Sequence, residues 1–79
     1  MTGKIVRLIP EKGFGFINVG DVDYFFHRSS FDGHWQDLEH DLKNGMVINV
    51  GFDIGESHKG PRAENVKRLD WPNQASGGL

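Results

Sequence analysis

The feature that most constrains this chain is the hexapeptide Lys12–Ile17, in which two phenylalanines alternate with two glycines. Residues i and i+2 of a β-strand point to the same face, so Phe14 and Phe16 share one face while Gly15 and Ile17 share the other. Glycine is a poor strand former, and its alternation with large rings indicates a surface that a flat ligand approaches closely. The hexapeptide therefore predicts a strand with its rings in water and its glycines against an interior.

A second aromatic segment, Asp23–Ser29, predicts the strand that follows. Phe26 is its natural core residue, and the alternation of faces then directs Phe25 and His27 outward. The connection around Gly20–Val22 has a length that is usual for a hairpin. Such a hairpin would place the outward rings beside the two exposed phenylalanines of the hexapeptide.

Three further segments complete an all-β prediction. Gly3–Ile9 is β-branched and apolar with an ambiguous phase, Met46–Ile54 alternates most clearly, and Arg62–Leu69 gives the last strand. Short strands with glycine-rich turns favour a five-stranded antiparallel Greek-key barrel of the OB class. The residues expected in its core are Ile5, Ile17, Phe26, Ile48, Val50, Phe52 and Val66.

The segment 30–44 departs from the strand pattern. Its apolar residues are spaced irregularly among Asp, Gly, His and Gln, which predicts a long loop with a helical turn near Asp37–Leu42. We expect the acidic residues at 37 to 41 to be solvated. For Trp35 two roles stay open, because the ring either plugs the base of this loop or contacts a ligand.

Length and composition narrow the classes of protein. The 79 residues allow one domain, which we place at 1–69, followed by a flexible C-terminal tail at 70–79 that contains Trp71. The formal net charge of −2 does not by itself indicate a polyanionic partner. The absence of cysteine and of any long apolar run predicts a cytoplasmic protein without disulfides, thiolate metal sites or a membrane partner.

The hexapeptide and the segment Tyr24–Ser29 together closely resemble the two ribonucleoprotein motifs of cold-shock domains, and Lys59–Pro61 with Asn65–Val66 match the C-terminal pattern of that family. The resemblance covers Gly3–Leu69. It implies an OB-fold barrel that binds single-stranded RNA or DNA and behaves as an RNA chaperone. Carried over position by position, it implies that bases stack on one set of residues while lysines lie near the phosphates. The stacking set is Phe14, Phe16, Phe25 and His27, and the lysines are Lys12 and Lys59.

The chain departs from the family pattern at two strand positions. An ungapped alignment puts Arg7 in place of a stacking tryptophan and Arg28 where a phenylalanine is common. Guanidinium groups also stack on bases and add charge, so both arginines belong to the predicted site. Trp35 is included as the counterpart of a loop aromatic of the family.

Other functions fit the sequence less well. The histidines at 27, 34, 40 and 58 lack zinc-site spacing, so we predict no metal or other cofactor. Ser29 lies near His27, but the spacing gives no glycine elbow, oxyanion donors or orienting carboxylate, so we predict no enzyme acting on a small molecule. A small barrel that contacts a protein through the same aromatic patch is the alternative function. An RNA-recognition fold would require two helices. We predict a monomeric protein that binds single-stranded nucleic acid.

Overall fold

The computed structural model describes residues 1–57 and 60–69, and strands make up most of them. The predictions for Lys59, Trp71 and the C-terminal tail lie outside these residues. Short 3-10 turns at Pro10–Lys12 and Arg28–Ser30 separate some of the strands. The other elements, in chain order, are β1 Thr2–Ile9, β2 Phe14–Val19, β3 Val22–His27, β4 Phe31–Asp32, α1 Trp35–Lys43, β5 Asn49–Ser57 and β6 Gly60–Arg68.

The five longer strands close into a barrel. Antiparallel pairing gives the order β3-β2-β1-β5-β6, and a parallel contact between β3 and β6, with Phe25 opposite Arg62, closes the sheet. The two-residue strand β4 pairs in parallel with β6. The barrel confirms the predicted OB class, while the parallel closure and β4 were not predicted. A single α-helix in the described residues excludes the RNA-recognition fold.

The core is the one that the sequence predicts, with three additions. All seven expected core residues are buried, and Trp35, Leu38 and Ala63 join them. Leu8 and Leu42 pack against this cluster from its edge. Burial of each large apolar side chain contributes about 1.5–3 kcal/mol, so the cluster dominates the stability of a domain this small.

The glycines of the hexapeptide serve the fold, which corrects the expectation that they admit a flat ligand. Gly15 is buried, and a Cβ there would lie 2.6 Å from Cδ2 of Leu8 and 2.9 Å from Cε1 of Phe26. Gly13 has a φ of 72°, a left-handed conformation that glycine adopts without steric penalty. Interior packing and a tight turn therefore explain both glycines.

Segment 30–44 is more regular than predicted. The expected turn at 37–42 is part of the nine-residue helix α1. Trp35 and Leu38 are buried and Leu42 is partly buried, at the i, i+3 and i+7 positions of one helix face. The spacing described above as irregular is thus a helical period.

Helix α1 is also tied to the barrel by an ion pair. Oδ2 of Asp41 lies 2.7 Å from Nη1 of Arg68, and the two side chains are 18% and 6% exposed. Asp41 was expected to be solvated, and this expectation was wrong. A buried cation on β6 requires a counter-charge, which the helix supplies.

Candidate nucleic-acid interface

Three phenylalanines form a cluster on the outer surface of β2 and β3. The ring centroid of Phe14 lies 5.8 Å from that of Phe16 and 5.1 Å from that of Phe25, and Phe16 and Phe25 are 6.0 Å apart. All three side chains are half-buried. The interplanar angles of 89°, 41° and 73° exclude a parallel stack among the rings. We call this set, Phe14, Phe16 and Phe25, the aromatic platform.

The hairpin register assembles the platform. Phe14 lies opposite His27 and Phe16 opposite Phe25, so all four side chains leave the same face of the sheet. The intervening residues, Gly15, Ile17 and Phe26, are buried. The predicted division of the two strands into an inner and an outer face is therefore confirmed.

His27 is held by its neighbour Ser29. The backbone N–H of Ser29 donates to Nδ1 of His27 at 3.1 Å, and the Ser29 hydroxyl lies 2.9 Å from the same nitrogen. Because Nδ1 accepts a hydrogen bond, a neutral ring carries its proton on Nε2. The exposed imidazole thus offers both a flat face and a donor nitrogen to a ligand.

Two rings of the platform, Phe16 and Phe25, belong to a longer row that crosses four strands. Arg62 on β6 is opposite Phe25, Phe25 is opposite Phe16, and Phe16 is opposite Arg7 on β1. Residues directly opposite each other share a face of the sheet. We call Arg62, Phe25, Phe16 and Arg7 the transverse row, which has a guanidinium at each end and two rings between them.

A bulge in β1 places Arg7 in this row. Ile5 is opposite Ile17 and Arg7 is opposite Phe16, so two steps along β1 match one step along β2. The extra residue, Val6, is 51% exposed. The bulge allows Ile5 to face the core and Arg7 to face outward despite their equal parity, which accounts for the ambiguous phase of this strand.

Arg28 and Lys12 lie at the other edge of the hairpin, where both are exposed. The sequence analysis placed Arg28 in the third strand, but β3 ends at His27 and Arg28 belongs to the 3-10 turn that follows. Its backbone N–H donates to the carbonyl oxygen of Gly13 at 2.8 Å, which brings the Arg28 backbone beside the turn that contains Lys12. Two cations therefore lie near the end of the hairpin where Phe14 pairs with His27.

Trp35, which the sequence analysis included in the predicted site, lies in the core. It is 5% exposed, and its ring centroid lies 5.6 Å from that of Phe26 in the core. Helix α1 turns the indole inward, so the structure places Trp35 apart from the outer rings with which it was grouped. Of its two proposed roles, the structure shows the packing role.

Arg62 is the residue that the sequence analysis left out of the site. Its Nε is buried and has no hydrogen-bond partner within the described part of the chain. Its place beside Phe25 results from the parallel closure of β3 on β6, which joins segments that are far apart in sequence. The sequence did offer one indication that Arg62 belongs to the site, because this residue directly follows Lys59–Pro61, which match the C-terminal pattern of the family.

The described residues contain no group of three or more His, Cys, Asp or Glu side chains arranged to hold a metal ion. None of their helices is long and apolar enough to cross a membrane.

A closed OB barrel that presents clustered rings between cations defines a class of protein that binds single-stranded nucleic acid. The family model of the "cold-shock" DNA-binding domain matches residues 1–69. This chain belongs to the cold-shock domain family.

Individual relatives agree with the family match. The chain is 40% identical over 70 residues to the cold shock-like protein CspE of Bacillus anthracis, an alignment that covers 87% of this chain and 97% of that protein. It is 42% identical over 72 residues to the cold shock-like protein CspB of Bacillus cereus, with 87% and 100% covered. The cold shock-like protein CspLB of Listeria monocytogenes is 41% identical over 69 residues, with 86% and 97% covered. The chain is therefore a nucleic-acid-binding cold-shock protein whose partner is a single strand.

Proposed function

We propose that unpaired bases stack on Phe14, Phe16, Phe25 and His27, while Arg7, Lys12, Arg28 and Arg62 contact the phosphates or the outermost bases. The transverse row is the observation that carries this proposal, because it places two rings between two guanidinium groups along one line. Lys59 stays a predicted phosphate contact. Trp35 is not part of the proposed site.

The chemistry of the row favours single strands over duplexes. Stacking requires a free face on the base, and paired bases within a duplex hide both faces against their neighbours. Each base–aromatic stack is worth about 1–3 kcal/mol and tolerates any base. The ligand is therefore single-stranded RNA or DNA with little sequence preference.

Binding of this kind supports an RNA-chaperone role. A protein that holds bases by stacking competes with their pairing, so it shifts RNA towards unpaired conformations without ATP. Stacks of about 1–3 kcal/mol each are small enough individually to break one at a time, which permits release. The cysteine-free sequence supports a cytoplasmic setting, and we further propose a monomeric protein without catalytic activity.

The electrostatic contribution is small for a nucleic-acid-binding protein. The formal net charge is −2, so the cations around the platform belong to a chain with more acidic than basic side chains. If about three or four cations contact phosphates, the logarithm of the binding constant falls with the logarithm of salt concentration with a slope of roughly −2 to −3.

The deciding experiment compares Phe16→Ala with Phe31→Ala for binding of a labelled oligothymidylate. Both variants lose a half-buried phenyl ring, but Phe31 lies on β4, outside the platform. We expect Phe16→Ala to weaken binding by on the order of 5- to 150-fold and Phe31→Ala to leave it near the wild-type value. Circular dichroism spectra of both variants check that each is folded under the conditions of the titration.

Equal affinity of wild type and Phe16→Ala would refute stacking on the platform. The alternative function, in which the platform contacts a protein, is not favoured by membership of a nucleic-acid-binding family. It predicts little oligonucleotide binding and near-indifference to salt, whereas stacking with phosphate contacts predicts the salt dependence above.

A further inference from the structure

An open groove begins where the transverse row ends. One wall is the second half of β1, with Val6, Arg7 and Leu8, and the other is the C-terminal half of α1. The residues that line the helix side are Glu39, Leu42 and Lys43. The sequence analysis assigned no role to this surface.

The groove exists because the second half of β1 has no strand paired to it on the side where β5 pairs with the first half. β1 pairs with β5 only over Thr2–Lys4, and the last backbone bond on that side is the donation from Ile5 N–H to the carbonyl of Ile48 at 3.0 Å. Beyond Ile5, no other strand in the described residues lies along that edge. The helix lies across the gap without pairing with β1.

Arg7 belongs to both surfaces. It ends the transverse row through its pairing with Phe16, and it also lines the groove. A single strand that follows the row from Arg62 across the rings therefore reaches the groove directly after Arg7. The groove is thus continuous with the interface of this nucleic-acid-binding chain.

The side chains of the groove suit a nucleotide. Val6 is 51% exposed and Leu42 is half-buried, so together they offer apolar surface against which the face of a base can lie. Arg7 and the exposed Lys43 supply positive charge for a phosphate. Glu39 is the carboxylate on the same wall, and it weakens this attraction.

We propose that this groove is an exit subsite, which holds the nucleotide that follows the bases stacked on the aromatic platform. The proposal rests on the stacking function proposed above, and it extends the binding site beyond the platform to α1. Lys43 contacts the phosphate of the additional nucleotide, and Val6 and Leu42 contact its base.

The test measures affinity as a function of oligonucleotide length. Labelled oligothymidylates of about four to ten nucleotides, within the range of site sizes of OB folds, are titrated with the wild type, Lys43→Ala and Lys67→Ala. Lys67 is the matched control, because it is an exposed lysine on β6 that lies outside the groove. We expect Lys43→Ala to bind the shortest oligonucleotides like the wild type and to lose about two- to fivefold on longer ones, within the range for one exposed ionic contact.

Two further readouts make the test specific. Glu39→Gln removes the opposing charge, so we expect it to bind the longer oligonucleotides more tightly than the wild type and the shortest ones equally. The salt slope of Lys43→Ala should be smaller than that of the wild type by about 0.7 for long oligonucleotides only.

The result that overturns the exit subsite is a pair of Lys43→Ala and Lys67→Ala curves that coincide at every length, as expected if the groove serves a protein or no ligand. That failure is distinct from failure of the stacking function, which would appear as unchanged affinity of Phe16→Ala for even the shortest oligonucleotides. Each proposal therefore has its own signature in one set of titrations.

Discussion

Two groups of aromatic rings in this protein have similar ring-to-ring distances and different surroundings. Phe14, Phe16 and Phe25 lie 5.1–6.0 Å apart on the outer face of the barrel, and Phe26 and Trp35 lie 5.6 Å apart in its core. The distance between rings therefore does not distinguish a cluster on the surface from packing in the core. What differs is that Phe26 and Trp35 are almost fully buried, whereas the rings of the platform are only half-buried.

The comparison shows how one strand serves both groups. Phe25 and Phe26 are consecutive residues of β3, and the alternation of faces sends one ring to the platform and the other into the core. Truncation of either residue removes the same number of atoms. The two truncations should therefore separate the stability of the fold from its affinity for nucleic acid.

The largest expected effect is the loss of stability in Phe26→Ala. The ring is fully buried and contacts Trp35, so its removal leaves a cavity and lowers the free energy of unfolding by about 3–5 kcal/mol. Urea denaturation followed by circular dichroism measures this change. Phe25→Ala is the matched control and should lose less than about 1 kcal/mol of stability, because a half-buried ring leaves no closed cavity. Equal destabilisation of the two variants would contradict the distinction between a core ring and a ring on the outer face.

A second stability effect tests the glycine that lies between the two groups. Gly15→Ala places a Cβ against Leu8, the carbonyl oxygen of Arg7 and Phe26, all within 3 Å, so we expect a loss of about 1–3 kcal/mol. Gly20→Ala is not an equivalent control because Gly20 has a φ of 61°. Gly51→Ala is the better one, because Gly51 is also in a strand and a Cβ there meets only ordinary contacts at 3.4 Å or more. Thermal unfolding of both variants measures the difference, and equal stability would show that the barrel relaxes around the added methyl group.

The features that the sequence predicted are those encoded by local alternation. The two faces of β2 and β3 and the seven core residues follow from the period of two residues in strands, and the structure confirms them. The helix α1 was underestimated, although Trp35, Leu38 and Leu42 carry its period, because polar residues between them obscured the pattern.

The features that the sequence could not predict depend on distant segments or on an interrupted period. The bulge at Val6 shifts the phase of β1 midway, so no single alternation describes the strand. The place of Arg62 beside Phe25 and that of Asp41 beside Arg68 arise from tertiary closure, which a local pattern does not encode. The complete transverse row therefore became visible only in the structure, although the sequence had identified three of its four residues.

In binding, the largest contrast should be between Phe25→Ala and Trp35→Phe. Phe25 is on the platform and in the transverse row, so its truncation should weaken binding of a short oligothymidylate by about 1–3 kcal/mol, or on the order of 5- to 150-fold. Trp35→Phe keeps an apolar ring in the core and should bind like the wild type. Anisotropy titrations at one salt concentration measure both affinities. Weaker binding by folded Trp35→Phe would return this residue to the interface and contradict its assignment to packing.

The smallest effects should come from the two ends of the transverse row, where guanidinium groups flank the rings. Arg7→Gln removes both the charge and the fixed fork of donors, whereas Arg7→Lys keeps the charge alone. We expect Arg7→Gln to lower affinity by less than about 1 kcal/mol and to reduce the salt slope by about 0.7, because Arg7 is exposed. Arg7→Lys should retain the salt slope of the wild type but recover the lost affinity only in part, since an ammonium group does not stack on a base.

The matched substitutions at Arg62 sharpen the comparison between the ends of the row. Arg62 is half-buried and its Nε is buried, whereas Arg7 is exposed. The guanidinium that Arg62→Lys removes is therefore more enclosed by the protein than that of Arg7. We expect the lysine variant to differ more from the wild type at Arg62 than at Arg7 in titrations over a range of salt concentrations. If Arg62→Lys binds like the wild type and the salt slope is unchanged, Arg62 contributes only its charge. The two phenylalanine rings of the row then account for the stacking without the guanidinium of Arg62.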